Sequence, residues 1–326
     1  MAPRILVFGT GSVGAVYAWV LSQTIPATSI TTICRSNYDQ ASKDGFAIDS
    51  TIWGNNLKFK PVVARTVAEA AEKSDQPFDH VLVCSKALNT TPSTAELIKP
   101  AISETTAIVL IQNGIGIEDE YARVYPNNPL ISTLTYLPVT QVSPAVIQHR
   151  EVELLHAGTY PADAPSPSKD AAKKFVDLLT AAGATAVLHD DVQEERWAKL
   201  LVNVAWNPVC ALTRCRDRAF INTNNKVLPF IKDVMMEVCS VAQAYGYDNV
   251  NEQLAHHHIG RAYRRDLPGV QPSMMADTLA GREMEVDAII GNVVKRARAK
   301  GVAVPLLRTI YLLVNGLNAS FAVGNP

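Results

Sequence analysis

An unbroken apolar run, Ile5 to Phe8, opens the chain, breaks at Gly9, Gly11 and Gly14, and resumes as an Ala/Val/Tyr/Leu stretch. The run reads as a buried parallel strand and the stretch after it as a helix packed on that strand. Apolar runs then alternate with helical stretches. Residues 29–34 predict the second strand; 81–84 follow a helical Ala/Glu segment, and 107–111 follow the stretch from Pro92 to Lys99. This βαβ rhythm predicts a doubly wound parallel sheet. Segments around 130–138 and 146–156 carry β-branched residues and predict a mixed or antiparallel extension of that sheet. Residues 161–168 predict a loop, 169–182 an amphipathic helix ending at Gly183, and 185–188 a last strand. Past Asp190 strand-like runs vanish, and helical segments are expected at 191–214, 225–246, 274–300 and 305–318. The expected organisation is therefore an α/β domain over 1–189 and an all-α domain over 190–326. Residues 256–271, rich in histidine and arginine, read as a helix end plus an exposed loop.

Composition narrows the class. The chain has 326 residues, enough for two cores, with 48% hydrophobic and 19% charged residues. A formal net charge of -1 gives no reason to expect nucleic acid or an anionic membrane as partner. No run approaches the roughly 20 apolar residues of a membrane span. The N-terminal apolar stretch is already needed as a strand, so it does not read as a signal peptide. Residues 323–326 match no peroxisomal or endoplasmic-reticulum address. Five scattered cysteines without a CxxC imply reduced thiols and a cytoplasmic protein. The run His256-His257-His258 suggests metal, but consecutive side chains on a helix cannot all face one ion. No metal site is expected.

The glycines carry the first chemistry. Gly9-Thr10-Gly11-Ser12-Val13-Gly14 matches the dinucleotide fingerprint GxGxxG between a strand and a helix. Gly9 and Gly11 allow a tight turn and close backbone approach to a pyrophosphate; Gly14 lets helix and strand pack, and the helix N-terminus faces the phosphates. At the end of the second strand come Arg35, Ser36 and Asn37, with no carboxylate, and Asp39 comes too late to hold a ribose hydroxyl. A guanidinium beside a hydroxyl and an amide suits a 2′-phosphate, so NADP(H) is expected over NAD(H). A solvated Arg35 is the alternative. Lys86 and Asn113 follow two further strands, at the end where open parallel sheets bind ligands.

The second half supplies a polar stripe. From Trp197 to Pro208 the helix is apolar almost all round, yet Lys199, Asn203 and Asn207 recur at i, i+4 and i+8 on one face. Buried polar groups need partners, so the stripe is either a structural network or the lining of a substrate site. A desolvated lysine is also what a general acid requires. Ser273 reads as a helix N-cap. Glu285 is expected within a helix, bordering its apolar face, where it can partner Lys199 or be solvated; Asp287 points away. The pattern alone leaves both readings open.

These motifs together resemble the ketopantoate reductase (2-dehydropantoate 2-reductase) family over nearly the whole chain, with Arg35 and the 256–271 segment closer to fungal members. The motifs are GTGSVG at 9–14, Cys34 to Asn37, Ser85-Lys86-Ala87, Gln112-Asn113-Gly114, the Trp197–Pro208 stripe, Pro272-Ser273-Met274 and Glu285-Val286-Asp287. The resemblance implies a Rossmann-type domain followed by an all-α domain similar to the C-terminal domain of 6-phosphogluconate dehydrogenase. It implies an oxidoreductase that reduces ketopantoate to pantoate with NADPH, in pantothenate biosynthesis. Under it Lys199 is the general acid and Glu285 holds lysine and substrate. Asn203, Asn207 and Ser273 bind the small 2-oxo acid, and Asn113 and Lys86 sit by the nicotinamide and the reacting end. One departure stands out: Asp217, flanked by Arg214, Arg216 and Arg218, where many bacterial members carry an asparagine. It is either paired to an arginine or the sign of another substrate. A paralogous reductase of another oxo acid or ketone is the alternative activity. A non-catalytic NADP(H) sensor fits less well, because a sensor needs no proton donor. A homodimer is left open.

Overall fold

Short apolar runs bounded by glycine and turn residues become the strands of the computed structural model, which describes residues 2–322. Residues 323–326, on which the expectation about a targeting address rests, lie outside the described residues. Strands β1 (Ile5–Phe8), β2 (Ile30–Ile33), β3 (Phe46–Ser50), β4 (Gly54–Phe59), β5 (Val62–Ala64), β6 (His80–Val83), β7 (Ala107–Ile111), β8 (Leu130–Tyr136), β9 (Val139–Ser143), β10 (Val146–His149), β11 (Leu154–Thr159) and β12 (Ala186–Leu188) form two sheets. The larger runs β12-β11-β8-β7-β6-β1-β2-β5. All of its pairings are parallel except β8 with β11. β1, β6 and β7 bury nearly every side chain, as strands covered on both faces must.

Contact clustering divides the chain into two units. The first comprises residues 1–86, 90–112 and 117–192; the second comprises 87–89, 113–116 and 193–326. The α/β unit packs the helix Ser12–Leu21 and the helix Ser166–Ala181 on the large sheet through a core that includes Val16, Tyr17, Leu21, Phe175 and Leu179. The helical unit is built around Gln193–Thr213, which packs against the helices Val227–Ala244, Ser273–Leu279 and Pro305–Ala322. Trp197, Leu200, Leu201, Val204, Ala205 and Cys210 of that central helix are buried. No helix among the described residues is long and apolar enough to cross a membrane.

Several expectations are corrected. The extension after β8 is mixed, but β9 and β10 leave the large sheet and join β3 and β4 in a separate four-stranded sheet, order β4-β3-β10-β9. Alternating burial along β3 marks it as a strand with one covered face. The helix expected over 274–300 is three pieces. Ser273–Leu279 ends before Gly281, whose φ is +60°; a non-helical segment, 282–285, follows, then a π-turn Asp287–Gly291 and the helix Asn292–Ala299. Met284 is buried from the non-helical segment and Val286 from the first helical position after it. The histidine run lies on the helix Glu252–Tyr263, and residues 264–272 form the exposed-rich loop beyond it.

Candidate functional site

In the α/β unit the glycine turn leaves β1 and enters the helix Ser12–Leu21. Gly9 has φ +87°, and a Cβ there would lie 2.4 Å from the Ser85 backbone nitrogen; one at Gly14 would lie 2.6 Å from the Gly9 carbonyl oxygen. Only glycine lets the turn cross this close to β6. A Cβ at Gly11 would meet nothing, so the turn is open on the side where a ligand must approach. The helix begins without a side-chain cap and without an acidic residue in its first turn. Its first N–H groups and dipole therefore favour an anion. Thr10 is buried and donates to the Val7 carbonyl, which stiffens the turn; Ser12 and Val13 are half-buried. This cradle fits a dinucleotide pyrophosphate.

Arg35, just past β2, is exposed, with its guanidinium 5.9 Å from the centroid of the Phe8 ring. Asn37 does not serve the expected role. Its amide is buried and donates to the Thr10 carbonyl at 2.7 Å and to Gln141 Oε1 at 3.2 Å, so it braces the glycine turn and offers no donor to a phosphate. Arg65, which sequence reasoning missed, follows β5, the neighbour of β2. It stacks 3.8 Å from the Tyr38 ring centroid and pairs with Asp39 at 2.8 Å. The signal was available only once β2 and β5 were known to be adjacent. Asp39 is thus turned to an arginine. Lys86 is half-buried beyond β6, and Ser85 accepts from Gln112 Nε2 through its carbonyl at 2.8 Å.

The helical unit gathers the second group. Lys199 Nζ donates to Asn113 Oδ1 at 2.8 Å, and both residues are half-buried. Burial and the neighbouring Arg196 guanidinium pull the ammonium down to about 7, against an upward pull from the Glu285 carboxylate. Asn203 and the buried Asn207 continue the face of the helix one and two turns beyond Lys199. Ser273 is exposed at the start of a helix packed against this one. It is not the N-cap: Pro272 takes that position, no side chain caps the helix, and the serine hydroxyl is spared for another partner.

Glu285 is not helical but precedes the first helical residue, Val286, and its Oε1 accepts the Ala87 N–H at 2.9 Å. Asp287 does point elsewhere: it accepts from Asn89 Nδ2 at 2.6 Å and from the Tyr311 hydroxyl at 2.8 Å. Two acids therefore tie the segment 87–89 down. A second segment, 113–116, is tied by the Arg196 guanidinium on the Gly114 carbonyl at 2.8 Å, by Ile115 N–H on the Ala288 carbonyl at 3.0 Å and by Asn292 Nδ2 on the Ile115 carbonyl at 2.8 Å. Gly114 has φ +102°, and a Cβ there would lie 2.3 Å from the Ala288 carbonyl oxygen. Asp217 is buried and paired to Arg265, and it also accepts the N–H groups of Arg218 and Val270. It anchors the loop after Tyr263 through an arginine pair, one of the two expectations for this departure.

The model described as ketopantoate reductase PanE/ApbA matches residues 5–162, and that of its C-terminal part matches residues 191–318. An uncharacterized protein of Saccharomyces cerevisiae, YDL144C, is 28% identical over 339 residues, 95% of this chain and 92% of the relative. The crystal structure of 2-dehydropantoate 2-reductase from Methylococcus capsulatus superposes with a TM-score of 0.85 at 29% identity, covering 98% of each chain. The ternary structure of D-mandelate dehydrogenase with NADH and anilino(oxo)acetate superposes with a TM-score of 0.83 over 98% of this chain and 99% of that one. At 19% identity it shares the fold alone.

Proposed function

Because the chain belongs to the ketopantoate reductase family, an oxidoreductase family, we propose that it reduces a 2-oxo acid with NADPH, and that ketopantoate is the acid, giving pantoate for pantothenate synthesis. The observation that carries this reading is the Lys199–Asn113 pair: a half-buried ammonium, held by a neutral carbonyl and poised near 7, at the head of an asparagine stripe. The glycine turn 9–14 would hold NADPH, which when bound would supply a hydride for the C2 carbonyl carbon. As negative charge develops on the carbonyl oxygen, the Lys199 ammonium donates its proton there, and Asn113 keeps Nζ aimed by accepting a second of its hydrogens. Glu285 offsets the cost of holding a cation in a half-buried position. Asn203, Asn207 and Ser273 supply neutral donors and acceptors for the carboxylate and hydroxyl of the substrate. Arg35 holds the 2′-phosphate of the cofactor; Arg65 follows β5, the strand paired with β2.

Of the two cations here, Arg196 is buried and donates to the Gly114 carbonyl, and Lys199 beside neutral amides suits a monoanionic hydroxylated acid better than a dicarboxylate. A site that hydrogen-bonds the substrate hydroxyl also rejects analogues without it, since its own groups are left unpaired. A panel of 2-oxo acids followed by NADPH consumption tests this. Ketopantoate is expected to outpace 2-oxoisovalerate, oxaloacetate and 2-oxoglutarate. The mandelate dehydrogenase neighbour favours a second reading, in which the acid is aromatic. Faster turnover of an aryl 2-oxo acid than of ketopantoate would replace the first substrate with the second.

A further inference from the structure

Arg196 lies three residues before Lys199 on the central helix of the helical unit, and only 2% of it is exposed. A buried arginine is expensive unless its donors are used. Here one donor is spent on a backbone carbonyl, that of Gly114, at 2.8 Å. Gly114 is the residue after Asn113, and its left-handed backbone is pressed against the Ala288 carbonyl. The short segment 113–116 is thus clamped between the central helix and the π-turn, with Asn113 Oδ1 delivered onto Lys199 Nζ. Without the guanidinium, the Gly114 carbonyl would lose this donor, and the central helix would hold the segment through the Lys199–Asn113 bond.

We propose that Arg196 is a positioning residue for the reduction: its guanidinium fixes the 113–116 segment, so that Asn113 orients Lys199, and its fixed charge keeps the lysine ready to release a proton. This rests on Lys199 being the proton donor. The charged groups that face Lys199 are Arg196 from its own helix and Glu285 from the segment before the π-turn; Asn113, from the clamped segment, is neutral. Removing a like charge within a few ångströms raises the midpoint of the remaining cation. Loss of the clamp, by contrast, acts on orientation and leaves a cation in place.

Competitive acetylation of the folded protein, read on the Lys199 peptide by mass spectrometry across pH 5 to 10, needs no substrate and measures the lysine directly. The wild type is expected to label with a midpoint near 7. Arg196→Met is expected to raise that midpoint by about one pH unit. Arg196→Lys keeps a cation but not the fork, so it should hold the midpoint and lower kcat about tenfold, with the KM for NADPH unchanged. A merely structural arginine predicts a lower melting temperature with midpoint and kcat per folded molecule unmoved in both variants, and that result overturns the proposal. If the midpoint moves as expected but the wild type turns over no 2-oxo acid, the activity reading fails and the role of Arg196 toward Lys199 stands.

Discussion

Replacing Glu285 by Gln should move the alkaline limb of the reduction to lower pH. Lys199 must be protonated to give up a proton, and its ammonium is held near 7, so the protonated fraction is about nine-tenths at pH 6 and about one-tenth at pH 8. The rate of reduction below saturation should therefore fall about tenfold between those values, and about tenfold more for each further unit. Glu285 pulls Lys199 upward. Removing an opposite charge lowers the midpoint of the cation it favours, so the Gln variant should place the limb about one unit lower, near 6. At pH 5.5 the two proteins would then differ least, and at pH 8 the variant would be about tenfold slower. The Ala87 N–H can still donate to the amide oxygen of Gln, which keeps the 87–89 segment tied and separates charge from position. The assay is kcat/KM for the 2-oxo acid at saturating NADPH from pH 5 to 9, with the folded fraction followed by circular dichroism. A limb that moves to higher pH in the variant, or a wild-type limb above pH 9, would refute the assignment of the proton to Lys199 and of its control to Glu285.

Arg35→Ala should raise the KM for NADPH by more than tenfold and leave that for NADH nearly unchanged, because a charge-assisted phosphate contact is worth about 1.5–3 kcal/mol. Equal use of both cofactors by the unmodified protein would sink the 2′-phosphate assignment. Asp217→Ala strands the half-buried Arg265 and frees two backbone N–H groups, so thermal unfolding should report a loss of about 3 kcal/mol while activity per folded molecule persists. A folded variant with altered substrate preference would instead return Asp217 to the specificity question.

The parts legible in the sequence were those in which the chemistry is local. Gly9 to Gly14 lie between a strand and a helix within a few residues, and the i, i+4, i+8 spacing of Lys199, Asn203 and Asn207 follows from helix geometry alone. What escaped depended on non-local pairing. Arg65 comes beside the end of β2 only because β5 adds to β2, and Arg196 meets Gly114 although the two are 82 positions apart. The register of β10 beside β3 joins residues a hundred positions apart, so Val146 to His149 could not be assigned to a sheet from their own pattern. Glu285 was misplaced by one position because Val286, Ile289, Ile290 and Val293 do repeat at helical spacing, and the pattern was carried backward into a segment that is not helical. Asn37 was misread for another reason: a side-chain amide beside an arginine looks like a ligand donor until its buried acceptors are seen.

The most direct test of the central claim is the turnover of Lys199→Ala per folded molecule, with NADPH binding measured alongside by fluorescence. Loss of a positioned general acid should lower kcat by about 10²–10⁴-fold while the NADPH affinity and the fold are retained. A variant that melts earlier yet reduces the 2-oxo acid at the wild-type rate per folded molecule would contradict the account, since Lys199 would then be a packing residue and the proton would come from elsewhere.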